Sequence, residues 1–288
     1  MRRKLIIGLC ILVVLLAGIG IYLRNGFYGN CVLERRSLYV RSGSEYRTLE
    51  DSLDAAIAHT AFFRFYARHI ELDRSFKPGH YVLEPGMNIV QVARMLKLGL
   101  QTPVRVTINN VRTPAQLAGK LARQIEADSA TIVGALTDPA TARKAGFDSV
   151  TLFSMFIPDT YEFYWTVSPA QFIERMRREY DRFWTPQRDA KRQRSGLSRL
   201  EVMTLASIVY EETRQSDEMP RIAGVYINRL RKGWPLQADP TVKYALQEFG
   251  LRRILHRHLK YPSPYNTYIN KGPVSYTHLR AHETLSDL

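Results

Sequence analysis

Among the carboxylates of this chain, Glu212 has the spacing best suited to proton chemistry. Ser198 and Glu201 have the Ser-x-x-Glu pattern of a capping box, which predicts a helix starting there. Leu205, Ile208 and Val209 then recur at intervals of three and four, and the stripe they form arrives next at Glu212. A carboxylate on an inward face is costly unless it is paired or protonated. Burial raises its pKa, which is what a general acid at neutral pH requires. The same pattern also fits a salt-bridged or helix-end carboxylate. Glu211 is rotated by about 100° and is expected on the solvent side.

Other polar residues follow within sixty positions. A second helix is predicted over Ser216–Lys232, with Pro220 in its first turn and Ile222, Val225, Tyr226 and Leu230 buried. Glu218, near its start, suits the helix dipole, and Asn228 falls near its polar edge. Asp239-Pro240 reads as an N-cap plus first-turn proline for a third helix ending near Gly250. Asp239 therefore has a structural use without catalysis. Tyr265-Asn266-Thr267-Tyr268 is a polar aromatic loop able to stack on sugar rings, although any surface turn has such residues. No Cys/His spacing resembles a zinc site, and neither a metal nor a cofactor is expected.

These helices sit late in a chain of 288 residues, long enough for about two modest domains. A hydrophobic content of 45% excludes wholesale disorder, and two cysteines exclude a disulfide scaffold. The net charge of +14 suits nucleic acid, an anionic membrane or an acidic polymer. The N-terminus chooses among them. After Arg2, Arg3 and Lys4 an uncharged run from Leu5 to Leu23 is long enough, as a helix, to cross a bilayer. The basic flank places the N-terminus in the cytoplasm and all that follows Arg24 outside, at the membrane and away from nucleic acid. A cleaved signal peptide is the other reading, but no small-x-small site stands clearly at the end of the run.

Residues 25–37 read as a polar linker. A strand at Leu38–Val40, helices over Thr48–His59 and Ala61–His69, a strand at His80–Leu83 and a helix over Asn88–Leu98 are expected next, with Gly99 as the stop. This order over residues 38–100 resembles a LysM-like module. Val104–Ile108 alternates as a strand, and Thr113-Pro114 opens a helix. Residues 156–163 are a dense apolar and aromatic stretch. Glu174–Arg194 carries eight basic and four acidic side chains, a solvated helix or a glycan- or lipid-binding patch. The expected fold class is α+β: a transmembrane helix over residues 1–24, the LysM-like α/β module, then a mainly helical domain with some strands over 101–273.

Several motifs together resemble the YceG-like (MltG) endolytic murein transglycosylases. They are Pro158-Asp159-Thr160-Tyr161, Leu205-Ala206-Ser207-Ile208-Val209, Glu212-Thr213, Ile222 to Leu230, Pro235 to Val242 and Tyr265-Asn266-Thr267-Tyr268. Where that family often has Glu-Lys-Glu-Thr, this chain has Tyr210-Glu211-Glu212-Thr213. The resemblance implies that Glu212 is catalytic. It implies supporting or substrate-binding roles for Glu218, Asn228, Gln237, Asp239, Tyr265, Asn266 and Thr267. It further implies cleavage of the MurNAc-GlcNAc bond of peptidoglycan to 1,6-anhydro ends, in a single-pass protein of the cell membrane with peptidoglycan synthases as candidate partners. A non-catalytic glycan-binding or scaffold protein of wall synthesis is the alternative. Val274–Thr284 reads as the in-frame translation of a transposase sequencing adapter. A non-native tail over 274–288 and an incomplete catalytic domain are therefore expected.

Overall fold

The computed structural model describes residues 2–272, so the expected tail at 274–288 lies outside the described residues. The fold is a helix-dominated α+β arrangement with an N-terminal apolar helix and four short strands among the described residues. It divides into two compact units, Met1–Val104 with Phe163–Thr166, and Arg105–Glu162 with the chain from Val167 on.

The first unit opens with α1 (Arg2–Tyr28), whose portion Ile6–Tyr28 is long and apolar enough to cross a membrane. The helix outlasts the apolar run of the sequence because its end packs on the next helices. Phe27 meets Phe62 edge-on at 5.1 Å, and at Gly26 any Cβ would sit 2.4 Å from the Phe62 ring. The stretch expected to be a polar linker is also tied down. Cys31 and Val32 are buried, and both backbone N–H groups donate to the Met87 carbonyl. Burial pushes the Cys31 thiol up to about 11.

Next come β1 (Arg36–Val40), α2 (Tyr46–Asp54), α3 (Thr60–His69), the single turn α4 (Leu72–Ser75), β2 (Gly79–Leu83) and α5 (Ile89–Leu98). The strands pair antiparallel, Arg36 opposite Leu83 and Val40 opposite Gly79. Leu53, Phe63, Leu72, Tyr81 and Leu96 fill the core beneath them. Asn88 and Gln91 close a capping box on α5, and Gly99 stops it in the left-handed conformation that glycine adopts without a Cβ clash. The helix expected over Thr48–His59 is shorter, because residues 55–59 leave it and His59 turns to φ +60°.

The second unit holds all but the first residue of β3 (Val104–Ile108), then α6 (Pro114–Leu121), α7 (Ser129–Thr137), α8 (Pro139–Lys144), a 3-10 turn at Leu152–Met155 and all but the last residue of β4 (Asp159–Phe163). β3 and β4 form a two-stranded sheet. After them come α9 (Pro169–Phe183), α10 (Pro186–Ser195), α11 (Arg199–Glu212), α12 (Met219–Arg231), α13 (Asp239–Leu246) and the single turn α14 (His256–Leu259). No residue of α10 is buried, in keeping with a solvated helix. The predicted capping box starts α11, with Ser198 Oγ accepting from the Glu201 N–H. Val202 through Val209 are all buried, so α11 is the central helix of this unit. Its Leu205, Ile208 and Val209 pack with Met219, Ala223 and Tyr226 of α12 and with Leu236 and Ala238. The second helix starts at Met219, later than expected, and α13 ends at Leu246, where Gln247 takes a left-handed cap.

Candidate active site

Glu212 is the last residue of α11, where the helix leaves the core and Thr213 turns the backbone to extended geometry. Its carboxylate is met by a side chain from α12: the Tyr226 hydroxyl donates to Oε1 at 2.8 Å. The Tyr226 ring is only 7% exposed and belongs to the core cluster, so its hydroxyl is a fixed post.

A cleft of about 400 Å³ opens over this pair. Ile222, Val225, Tyr226 and Arg229 form one wall, at the spacings that share a helix face. Thr213 and Glu218, from the connection into α12, form the second, where the Thr213 hydroxyl donates to Glu218 at 2.7 Å. Gln237 and Asp239 come from the segment entering α13, and Tyr268 comes from the loop at 265–268, donating to Asp239 Oδ1 at 2.7 Å.

Gln237 lies at φ +54°, a left-handed conformation that costs a non-glycine residue on the order of 1 kcal/mol. The surroundings hold it there. Gln237 N–H donates to the Thr267 carbonyl, and Ala238 N–H to the Thr267 hydroxyl. The Thr241 hydroxyl donates to the Ala238 carbonyl, and the Arg229 guanidinium to the Leu236 carbonyl. Four anchors therefore present Gln237 and Asp239 to the cleft.

Burial pushes the Glu212 carboxyl up; the Tyr226 hydrogen bond opposes this, the negative charge of Asp239 adds to it and Lys243 opposes it. Glu212 as a whole residue is exposed, because it opens on the cleft. Protein crowds its carboxyl on the remaining sides, and that crowding is what sets the proton affinity. Burial and the charge of Glu212 both push the Tyr226 phenol far up, so it stays a donor. Tyr268 rises to about 12, from burial first and then its bond to Asp239. Among the described residues no group of three or more His, Cys, Asp or Glu side chains is placed to hold a metal ion.

The structure brings Glu212, Glu218, Gln237 and Asp239 together and distributes the other expected residues elsewhere. Asn228 is exposed and does not line the cleft, since it lies about 200° around α12 from Tyr226. Tyr265 packs edge-on against Tyr244 at 5.0 Å, beside the α11 core. Asn266 and Thr267 are fully buried. The Asn266 amide donates to the Leu259 and Tyr261 carbonyls and its Oδ1 accepts from Tyr268 N–H, so it shapes the loop from within.

Three expectations are corrected. Val225, expected on the buried face of α12, is 50% exposed because that face forms the open wall of the cleft. Asp239 is not the N-cap of α13: Ala238 holds that position with no side-chain cap, and the carboxylate of Asp239 is directed to Tyr268. Glu211 is not on the solvent side. Its side chain is 13% exposed and pairs with Arg112 at 3.2 Å, because α11 is buried around its whole circumference and a residue beside the stripe is enclosed as well. Tyr226 had been expected only as a buried apolar position. Tyr268 was expected only as part of a sugar-stacking loop, and Arg229 had no expected role. A tyrosine on an otherwise aliphatic face was the one available signal.

The YceG-like family matches residues 38–275. An endolytic murein transglycosylase of Bacillus subtilis (strain 168) is 26% identical over 225 residues, 73% of this chain and 62% of the relative. An endolytic murein transglycosylase of Streptococcus pneumoniae (serotype 2, strain D39) is 24% identical over 267 residues, 81% of this chain and 48% of the relative. The match thus spans between about half and three-fifths of the length of these curated relatives. Among solved structures, that of a yceG-like protein from Listeria monocytogenes aligns with a TM-score of 0.55 at 25% identity, covering 88% of this chain and 89% of that one.

Proposed function

The chain belongs to the YceG-like family, and from that premise we propose that it is a membrane-anchored lytic transglycosylase that cuts glycan strands of peptidoglycan internally. The observation that carries this reading is a single raised carboxyl, Glu212, standing at the opening of a cleft with one oxygen held by Tyr226. One such group suffices. As an acid, Glu212 gives its proton to the glycosidic oxygen between N-acetylmuramic acid and N-acetylglucosamine, and the bond electrons leave with that oxygen. As a base it then takes the proton of the muramyl 6-hydroxyl, whose oxygen closes on the anomeric carbon. The product is a 1,6-anhydro end, and no water is consumed.

The remaining cleft residues bind and orient. Gln237, Arg229 and Tyr268 offer hydrogen bonds and an aromatic ring to a sugar, and the charge of Asp239 favours the positive character developing at the anomeric carbon. Thr213 and Glu218 brace the end of α11. Residues 38–100 are proposed as a LysM-like glycan-binding module. Residues 1–24 are proposed as an anchor with a cytoplasmic N-terminus and an extracytoplasmic catalytic domain, working beside peptidoglycan synthases.

A plain hydrolase is the second reading, favoured by one observation: Asp239 places another carboxylate in the same cleft. The proposal is tested by Glu212→Gln in the full chain in detergent, assayed on isolated glycan strands. The amide keeps the shape and cannot carry the proton. A loss of at least about 10²-fold is expected, and activity within tenfold of the parent removes Glu212 from the role.

A further inference from the structure

We propose that Tyr226 is a positioning residue that reserves one oxygen of Glu212, so that both proton transfers of the reaction pass through the other. The inference rests on the catalytic reading of Glu212. Three observations support it. Glu212 ends its helix and has lost the packing that fixes the side chains of Val202–Val209, so three rotatable bonds separate its carboxyl from the backbone. Tyr226 reaches it from a different helix, with its ring locked among Leu205, Val209, Met219 and Ala223. The hydroxyl donates to Oε1 at 2.8 Å, and among the described residues Oε2 has no hydrogen-bond partner.

A donor on Oε1 favours that oxygen as the carbonyl of the neutral acid, because a carbonyl oxygen accepts more strongly than a protonated one. In the acid form the proton of Glu212 therefore sits on Oε2. Tyr226 does not compete for the chemistry, because its phenol remains protonated. In the first step Oε2–H gives its proton to the leaving glycosidic oxygen as the C–O bond breaks. In the second step Oε2 takes the proton of the 6-hydroxyl as the O6–C1 bond forms, and the group returns to its starting state. Leaving group and nucleophile thus address the same atom in turn. The Tyr226 bond also steadies the carboxylate formed in between, when Glu212 is charged and partly buried.

Other charged and titratable groups act on the same carboxyl. Asp239 and Lys243 face it from α13, and Glu211 precedes it on α11. Glu218, Arg229 and Tyr268 line the cleft around it. Among the described residues none of these hydrogen-bonds to Glu212, so the phenol is the group whose removal frees the carboxyl to rotate.

The test uses Tyr226→Phe in the full chain in detergent, with the parent and Glu212→Gln beside it. Glutamate carboxyls are labelled with ¹³C, and the resonance absent from Glu212→Gln is titrated. Tyr226→Phe keeps the ring and should keep the fold. It removes a donor that favours the charged form, so the Glu212 titration is expected to move up by about half a unit to one unit. The descending, high-pH limb of kcat is expected to move with it, while kcat at the optimum falls about tenfold or more and KM stays within twofold. An unchanged carboxyl titration, or a fall in activity with an unmoved limb, overturns the proposal. A parent that leaves glycan strands uncut defeats the functional reading instead, and the titration distinguishes the two failures.

Discussion

Arg112 and Glu211 are ninety-nine residues apart in the chain, yet the guanidinium Nη2 of Arg112 reaches both carboxylate oxygens of Glu211, at 3.4 and 3.2 Å. Arg112 also lies over the Phe249 ring at 5.0 Å. The segment leading into α6 is thereby joined to the last turn of α11, one residue before Glu212. The pair is mostly shielded from water, with 22% and 13% of the two side chains exposed.

Glu211→Gln therefore leaves a shielded cation without its counter-charge. A loss of about 1–3 kcal/mol is expected, read as a lower urea midpoint at unchanged slope. A change within about 0.3 kcal/mol would mean that water already screens the pair.

Thr267 is expected to matter through the backbone it holds. Its hydroxyl accepts from Ala238 N–H at 3.0 Å and pairs with the Thr241 hydroxyl at 2.9 Å. Thr267→Val keeps the shape and removes the acceptor, at a cost of about 1–3 kcal/mol. Gln237 and Asp239 then lose their presentation, and kcat/KM on glycan strands is expected to fall at least about tenfold. Thr267→Ser retains the hydroxyl and should keep most activity. Equal damage from both variants would assign the role to the methyl group.

The charge of Asp239 and the hydroxyl of Tyr226 act on Glu212 with opposite signs. Asp239→Asn removes a negative charge, lowers the proton affinity of Glu212 and should move the high-pH limb of activity to lower pH, opposite to Tyr226→Phe. Activity that needs a protonated carboxyl is lost as pH rises through its pKa, so the variant should be most impaired on the alkaline side. A limb that moves up in Asp239→Asn contradicts this assignment.

Acid sensitivity has a separate source. Hydrogen bonds from Arg199 and Arg192 hold the Asp189 carboxyl down to about 2, against an ordinary 3.8. A depressed folded value means stabilisation that is present above 3.8 and lost as pH falls through about 2. In thermal melts, Asp189→Asn should differ from the parent above this window and converge with it below. A constant difference from pH 6 to 2 would show that the pairing does not titrate with folding.

Much of this architecture was legible locally. Capping boxes, first-turn prolines and strand alternation place the starts of α6 and α11 and the whole of β3, because each signal is contained in a few neighbouring residues. β4 was not read as a strand, since its partner β3 lies some fifty residues away in sequence and its Tyr161 and Phe163 merged with the apolar residues before them. The position of Glu211 was misjudged for a related reason. A helix buried from Val202 to Val209 has no polar face against which to set the phase. That Tyr226 ends on Glu212 depends on how two helices pack, which neither segment encodes alone.

The most direct measurement of the central claim is the fate of water oxygen during cleavage. The full chain in detergent is incubated with glycan strands in H₂¹⁸O, and the new ends are read by mass spectrometry, with Glu212→Gln as the control. The account predicts 1,6-anhydromuramyl ends free of heavy oxygen, arising within strands and absent with the variant. Reducing muramic acid ends that carry ¹⁸O would contradict it and give Asp239 the task of activating water.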